Sequence, residues 1–243
     1  MIIYILAPIL TLAAFGLTNI SISAAYTFAA AFAILLFAAP TYIKTVRQLK
    51  WKKALIILGG LGLFAIAIET FAIKTGIPYG QFSYGEGLGG KILGVTPWTI
   101  AFAFPPLLLL GFWFGKKFSN SIGRIVAITA GITVFTDIVL DPAAVSMGMW
   151  SWNDPGFYYG VPLINYFGWL VTATLGALLL YLLWGKTPVK QHLTYSGLAI
   201  LWFWSWVNIG LQQWIPGVVG VIGCILMTII INKNLDEKTQ ESQ

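Results

Sequence analysis

Long apolar segments are the feature that most constrains how this chain can fold. Eight of them follow one another, each close to the roughly 17 to 25 residues that a helix needs to cross a membrane. Their length and their content of Leu, Ile, Phe and Ala exclude the alternating strands of an outer-membrane barrel. Only 9% of the residues are charged, too few to cover the surface of a soluble domain. The segments cover approximately residues 2–18, 22–40, 54–73, 96–115, 122–141, 163–184, 193–210 and 215–232.

The sequence therefore predicts an all-α polytopic membrane protein with about eight transmembrane helices. Residues 1–232 form a single transmembrane domain in this interpretation, and 233–243 form a polar cytoplasmic tail. Twelve of the fourteen Lys and Arg residues fall in one set of loops and in the tail, whereas the opposite loops contain only Lys74 and Lys91. Because cytoplasmic loops carry the excess of positive charge, we expect both termini in the cytoplasm of a multi-pass plasma-membrane protein.

The same charge distribution excludes two classes of function. The net charge of +6 marks the topology and is not a sign of nucleic-acid binding. A retinal protein needs a lysine inside a late helix for its Schiff base. Every lysine here falls in a loop, at the edge of a segment or in the tail, so retinal attachment is not expected.

Glu69, Asp137 and Asp141 are acidic residues within, or at the ends of, apolar helices. Ionisable groups there are costly to bury and are candidates for function. Along its helix Glu69 lies about 24 Å above Lys53, and the two aspartates lie about 20 and 26 Å above Arg124. Any one of the three carboxyls could serve only as a hydrogen-bonding link between helices. Their common depth in the outer part of the bilayer favours a site.

The two aspartates are four residues apart and share a helix face. Pro142 disfavours the α conformation at Asp141, so the sequence predicts that the helix ends there. Burial, mutual repulsion and the negative end of the helix dipole favour the protonated carboxyl, which can act as a general acid. Asn165 and Asn208, on two further helices, are expected at the same level.

Two long outer loops, 74–95 and 142–162, are rich in aromatic residues. Loops of about 20 residues are uncommon unless they are functional or disordered, and this aromatic content argues against disorder. We therefore expect both loops to fold back as a lid over the carboxyls. The aromatic residues concerned are Tyr79 and Tyr84 in the first loop and Trp150, Trp152, Tyr158 and Tyr159 in the second.

These residues carry a resemblance to a known family. Glu69 with 76–80 (GIPYG), and Asp141-Pro142 with 150–152 (WSW) and 158–169 (YYGVPLINYFGW), are similar to the membrane carotenoid biosynthesis protein family. Its members are of the carotenoid 1,2-hydratase or bisanhydrobacterioruberin hydratase type. The resemblance covers about residues 55–210.

The resemblance implies addition of water across the terminal C1–C2 double bond of an acyclic carotenoid end group. It implies no cofactor and no metal, with a hydrophobic carotenoid and the lipid bilayer as the partners. For this chemistry we expect Asp137 to donate the proton and Asp141 or Glu69 to activate the water. Aromatic faces would stabilise the carbocation. The expected substrate-binding residues are Tyr79, Tyr84, Trp150, Trp152, Tyr158, Tyr159, Asn165, Trp169 and Asn208.

Two other functions fit part of the pattern. A carotenoid end-group cyclase would begin with the same protonation, but an internal double bond would capture the carbocation instead of water. A proton-coupled transporter would need polar residues that continue across the bilayer. The cytoplasmic halves of the predicted helices are almost wholly apolar, which argues against the transporter.

Overall fold

A computed structural model describes residues 2–18 and 27–240 of the chain. Within these ranges the chain forms eight α-helices, which confirms the predicted all-α polytopic membrane fold. Six of the helices contain a segment long and apolar enough to cross a bilayer, whereas α1 and α7 have 17 and 16 residues. The helices are α1 (Ile2–Thr18), α2 (Thr27–Leu49), α3 (Trp51–Thr75), α4 (Ile100–Phe118), α5 (Ile122–Ser146), α6 (Leu163–Trp184), α7 (Tyr195–Gly210) and α8 (Trp214–Gln240).

The surface of the helices is apolar, and part of their interior is polar. Leu63, Phe167 and Leu182 are 65 to 74% exposed, an arrangement that suits lipid rather than water. Thr129 and Thr133 are fully buried, and each donates its hydroxyl to the carbonyl four residues earlier in α5. The protein is therefore a multi-pass integral membrane protein.

The basic loops gather at one end of the helix bundle. Lys53 Nζ, near the start of α3, donates to the Trp184 carbonyl at the end of α6 over 2.7 Å. The side chain of Gln48 donates to the Pro188 carbonyl over 2.6 Å. The loop charges that predict the cytoplasmic side therefore belong to one face of the molecule, and the two aromatic loops lie at the opposite end.

Proline residues do not end the helices where the sequence predicts. The prediction that the fifth helix ends at Asp141 is wrong, because α5 continues through Pro142 to Ser146. Proline lacks the N–H that would bond to the Ile138 carbonyl four residues earlier. The Tyr158 hydroxyl donates to that carbonyl over 3.4 Å, so the second aromatic loop satisfies the group that Pro142 leaves free.

A second tyrosine satisfies a carbonyl in α4 in the same way. Pro105 lies inside α4, so the Ala101 carbonyl receives no helical hydrogen bond from it. Tyr42 of α2 donates its hydroxyl to the Ala101 carbonyl over 3.0 Å. α2 itself continues through Pro40 to Leu49, nine residues beyond the predicted end, while its predicted start at 22 lies outside the described residues.

The two outer loops fold together as one small structure. β1 (Phe82–Tyr84) of the first loop pairs antiparallel with β4 (Trp150–Trp152) of the second. A short hairpin of β2 (Lys91–Ile92) and β3 (Thr96–Pro97) connects the first loop to α4. α3 ends at Thr75, and the next residue, Gly76, has a φ of 78°, a left-handed conformation that glycine adopts without strain.

We expect Tyr42→Phe to lower the free energy of unfolding by about 1–2 kcal/mol, because the Ala101 carbonyl loses its donor. Unfolding of the detergent-solubilised protein measures this change. Pro105→Ala returns a helical N–H to the same carbonyl, so Tyr42→Phe should cost less in that background. Tyr181→Phe, a ring that contacts Lys116, is the control and should change little. Equal losses in both backgrounds would contradict the assigned role.

Candidate active site

Three buried carboxyls face one cavity near the outer end of the bundle. Glu69 of α3 and Asp137 and Asp141 of α5 are 6%, 1% and 2% exposed. All three line a cavity of about 750 Å³ that lies beneath the outer loops. The structure thus brings together the three carboxyls that the sequence singles out, from two different helices.

Asn165, in the first turn of α6, bridges the two aspartates. Its side-chain nitrogen donates to Asp141 Oδ2 over 2.5 Å and to Asp137 Oδ2 over 3.3 Å. The side chain is 2% exposed, and one amide nitrogen carries the two hydrogens that both contacts need. The side chain of Trp150, in β4, also interacts with the Asp141 carboxyl. α5, α6 and the second loop therefore converge on the aspartate pair.

Glu69 has a separate partner in the first loop. Tyr84, at the end of β1, donates its hydroxyl to Glu69 Oε2 over 3.0 Å. Burial, and then the negative charge of Glu69, raise the pKa of the Tyr84 phenol well above its usual value of 10.0. The phenol therefore keeps its proton and acts as a donor to the carboxylate. Pairing of β1 with β4 places Tyr84 opposite Trp150. The paired strands therefore position the side chain that contacts Glu69 next to the one that contacts Asp141.

Tyr79 is fixed in the cavity wall from three sides. Its hydroxyl and that of Thr172 lie 2.7 Å apart, and its carbonyl accepts the Trp152 indole N–H over 2.8 Å. Burial, and then the charge of Glu69, raise the pKa of the Tyr79 phenol well above its usual value. Gly168 allows the Tyr79 ring to pack directly against α6, since a Cβ at position 168 would lie 2.4 Å from Tyr79 Cδ1.

Aromatic rings cover the walls around the carboxyls. Trp150, Trp152 and Trp169 all line the cavity. The Trp169 ring lies 6.0 Å from the ring of Tyr79 and 6.0 Å from that of Phe104. Such faces can stabilise a positive charge through the ring quadrupole. The wall therefore combines acidic groups with surfaces suited to a cation.

Three of the predicted binding residues lie outside the described cavity wall. Tyr158 donates to α5 as described above, and its ring lies 5.1 Å from that of Tyr159. Asn208 of α7 donates to the Val139 carbonyl of α5 over 2.7 Å, and also to the Trp204 carbonyl over 2.8 Å. Tyr158 thus connects the second loop to α5, and Asn208 connects α7 to α5.

The larger part of the cavity lies outside the residues that the sequence singles out. Beyond the carboxyls, the cavity continues as an apolar groove between α1, α2 and α7. On α1 the lining residues recur at the spacing of one helix face, which is a signal that the sequence contained. Packing of α1 against α7 could not be read from that spacing. The groove is defined by Leu6, Leu10, Ala13 and Leu17 of α1, by Ala30, Ala33, Phe37 and Lys44 of α2, and by Tyr195, Ser196, Ala199 and Phe203 of α7.

Tyr166 was likewise not singled out as a site residue. Its hydroxyl is buried, and among the described residues it has no hydrogen-bond partner. The ring lies 6.1 Å from that of Tyr158. The sequence does contain a signal for Tyr166, because this residue directly follows Asn165.

Comparison with known proteins agrees with the resemblance stated above. Residues 23–227 match the family described as Carotenoid biosynthesis protein. Over 188 residues the chain is 30% identical to the bisanhydrobacterioruberin hydratase of Haloarcula japonica. That match covers 72% of this chain and 64% of the relative, a little under two thirds of the relative's length. No solved structure matches the chain. The family match extends over most of the bundle, and the chain belongs to the carotenoid biosynthesis protein family.

Proposed function

We propose that this protein is a carotenoid hydratase that adds water across the terminal double bond of an acyclic end group. The observation that carries the proposal is the composition of the cavity. Three carboxyls and several aromatic rings line its outer end, and apolar side chains line most of the remainder. The name of the Haloarcula japonica relative supports hydration as the reaction.

The reaction begins with proton transfer from Asp137. Burial of a carboxyl without a cation costs least in the neutral form, and among the described lining residues the one cation, Lys44, lies at the far end of the groove. The neutral acid gives its proton to C2 of the terminal double bond. The electron pair of that bond forms the new C–H bond and leaves a tertiary carbocation at C1.

Water then captures the carbocation and a second carboxylate takes its proton. The water oxygen bonds to C1, and Asp141 or Glu69 accepts the released proton, so that the net change is the addition of one water. Asp141 can return the proton directly, because it shares a helix face with Asp137 and Asn165 holds the two carboxyls together. Glu69 would act with Tyr84, which orients its carboxylate. The base regenerates Asp137 by passing the proton back, which requires no cofactor.

The aromatic wall supports the carbocation step. Trp150, Trp152 and Trp169 surround the carboxyls, and a cation over such a ring gains roughly 0.5–2 kcal/mol, the larger figure when water is excluded. Pairing of β1 with β4 covers this end of the cavity, and we expect this cover to restrict the entry of bulk water. The three carboxyls lie at one end of the cavity, which also favours an enzyme over a transporter, whose path of ionisable groups would continue across the bilayer.

Expression in cells that accumulate lycopene tests the reaction. We expect pigments heavier than lycopene by one water, detected by mass spectrometry of the extracted carotenoids. A product isomeric with lycopene would instead indicate the end-group cyclase. Recovery of unchanged pigment from every acyclic carotenoid supplied would overturn the proposal.

Asp137→Asn should reduce hydration by about 10²–10⁴-fold, because the amide cannot serve as the acid. The initial rate of product formation in isolated membranes measures the loss. Asp154→Asn, at an exposed position of the second loop, is the matched control and should retain the wild-type rate. Equal rates for Asp137→Asn and wild type would remove Asp137 from the mechanism and leave the reaction to another carboxyl.

Tyr84→Phe should slow hydration about 10- to 100-fold, since a hydrogen bond to a charged group contributes roughly 1.5–3 kcal/mol. If Tyr84 acts through Glu69, the same substitution should add little in a Glu69→Gln background. A double-mutant cycle tests this: the hydration rates of the two single variants and of the double variant are compared with wild type, and Tyr181→Phe is the control. Fully additive losses would show that Tyr84 acts independently of Glu69.

A further inference from the structure

The apolar groove and the carboxyl end of the cavity form one continuous space. The groove follows α2 from Ala30 to Lys44, fourteen residues that correspond to about 21 Å of helix. It therefore runs along the bundle, through most of an apolar bilayer core of ~30 Å. A substrate whose end group reaches the carboxyls must place the rest of its chain in this groove or expel it from the protein.

Small side chains create the room in the groove. Ala13 of α1, Ala33 of α2 and Ala199 of α7 all face the cavity. α1 packs mainly against α7, and α2 packs against α3, α4 and α7, so these helices form its walls. Lys44, Tyr195 and Ser196 mark the end of the groove opposite the carboxyls. The space therefore extends from the carboxyls to the end of the bundle where Lys44 and Tyr195 lie.

We infer that the groove binds the unreacted part of a rod-shaped polyene, with the far end of the molecule beside Lys44 and Tyr195. The inference rests on the proposed function and assigns the part of the cavity that holds the chain behind the reacting end. Ala199 is then a specificity-determining residue, because its side chain limits how far the polyene extends past the middle of the bundle. The protein selects substrates by the length of the chain behind the reacting end.

The two ends of the cavity carry different ionisable groups, and these groups favour a polyene over a phospholipid as the occupant. A phosphate at the outer end would meet Glu69, Asp137 and Asp141, which offer it no cation and repel it wherever they are ionised. A phospholipid inserted the other way could pair its phosphate with Lys44, but its acyl end would then occupy the reaction site and exclude the substrate. Competition by lipid is therefore an outcome that the experiment must detect.

Ala199→Phe is the test, because the larger ring fills the groove without touching the described carboxyl cluster. Two substrates are compared: lycopene, and a truncated apocarotenoid with the same acyclic end. We expect the variant to hydrate lycopene at least about tenfold more slowly than wild type and the truncated substrate within about twofold of it. Ala127→Phe, at a lipid-exposed position of α5, is the matched control and should alter neither rate.

The possible results separate the two proposals. Hydration of neither substrate by wild type would overturn the proposed function. Hydration of both by wild type, with equal losses or no loss in Ala199→Phe, would overturn the groove assignment alone. Ala7→Phe, on α1 and at the same end of the cavity, should reproduce the discrimination, so a folding defect in one variant does not decide the test.

Pigment retention provides a second readout that is independent of turnover. Asp137→Asn protein purified from lycopene-accumulating cells should retain lycopene, and Asp137→Asn with Ala199→Phe should retain at least about tenfold less. Mass spectrometry of the bound molecules identifies the occupant. Phospholipid in place of pigment in the Asp137→Asn protein would overturn the assignment.

Discussion

Polar groups buried between membrane helices must find partners inside the protein, because the hydrocarbon offers none. Tyr42 and Tyr158 supply donors for carbonyls that Pro105 and Pro142 leave free. The outer loops pair through β1 and β4 and so satisfy part of their own backbone. The carboxyls obey the same constraint, since Asn165 binds the aspartates and Tyr84 binds Glu69. The fold and the candidate site therefore follow from one requirement.

The reacting groups and the apolar binding surface lie in different parts of the cavity. Its outer end contains the carboxyls and the aromatic rings, and the groove between α1, α2 and α7 contains mainly aliphatic and aromatic side chains. An apolar substrate can enter such a space without losing hydrogen bonds to water. Acid groups then act only on the end group that reaches them. Membership of the carotenoid biosynthesis protein family agrees with this division.

Several parts of the site were predictable because they depend on single helices. Asp137 and Asp141 share a face at a spacing of four residues, and Glu69 has a depth that follows from helix rise. The end of α5 was not predictable from Pro142 alone, because a residue distant in sequence, Tyr158, satisfies the freed carbonyl. Depth likewise placed Asn208 near the carboxyls, whereas its side chain joins α7 to α5.

Composition and distance along single helices were enough to predict the membrane class, the number of apolar segments, the end of the bundle where basic loops gather, and the depth of the acidic residues. The partners of the carboxyls and the course of the cavity depend instead on how the helices pack against one another. Asn165 meets both aspartates, and α1 borders the groove, because helices rotate and pack to bury particular faces. Which face each helix buries depends on contacts between segments far apart in the chain. The periodicity within one segment carries no information about those contacts.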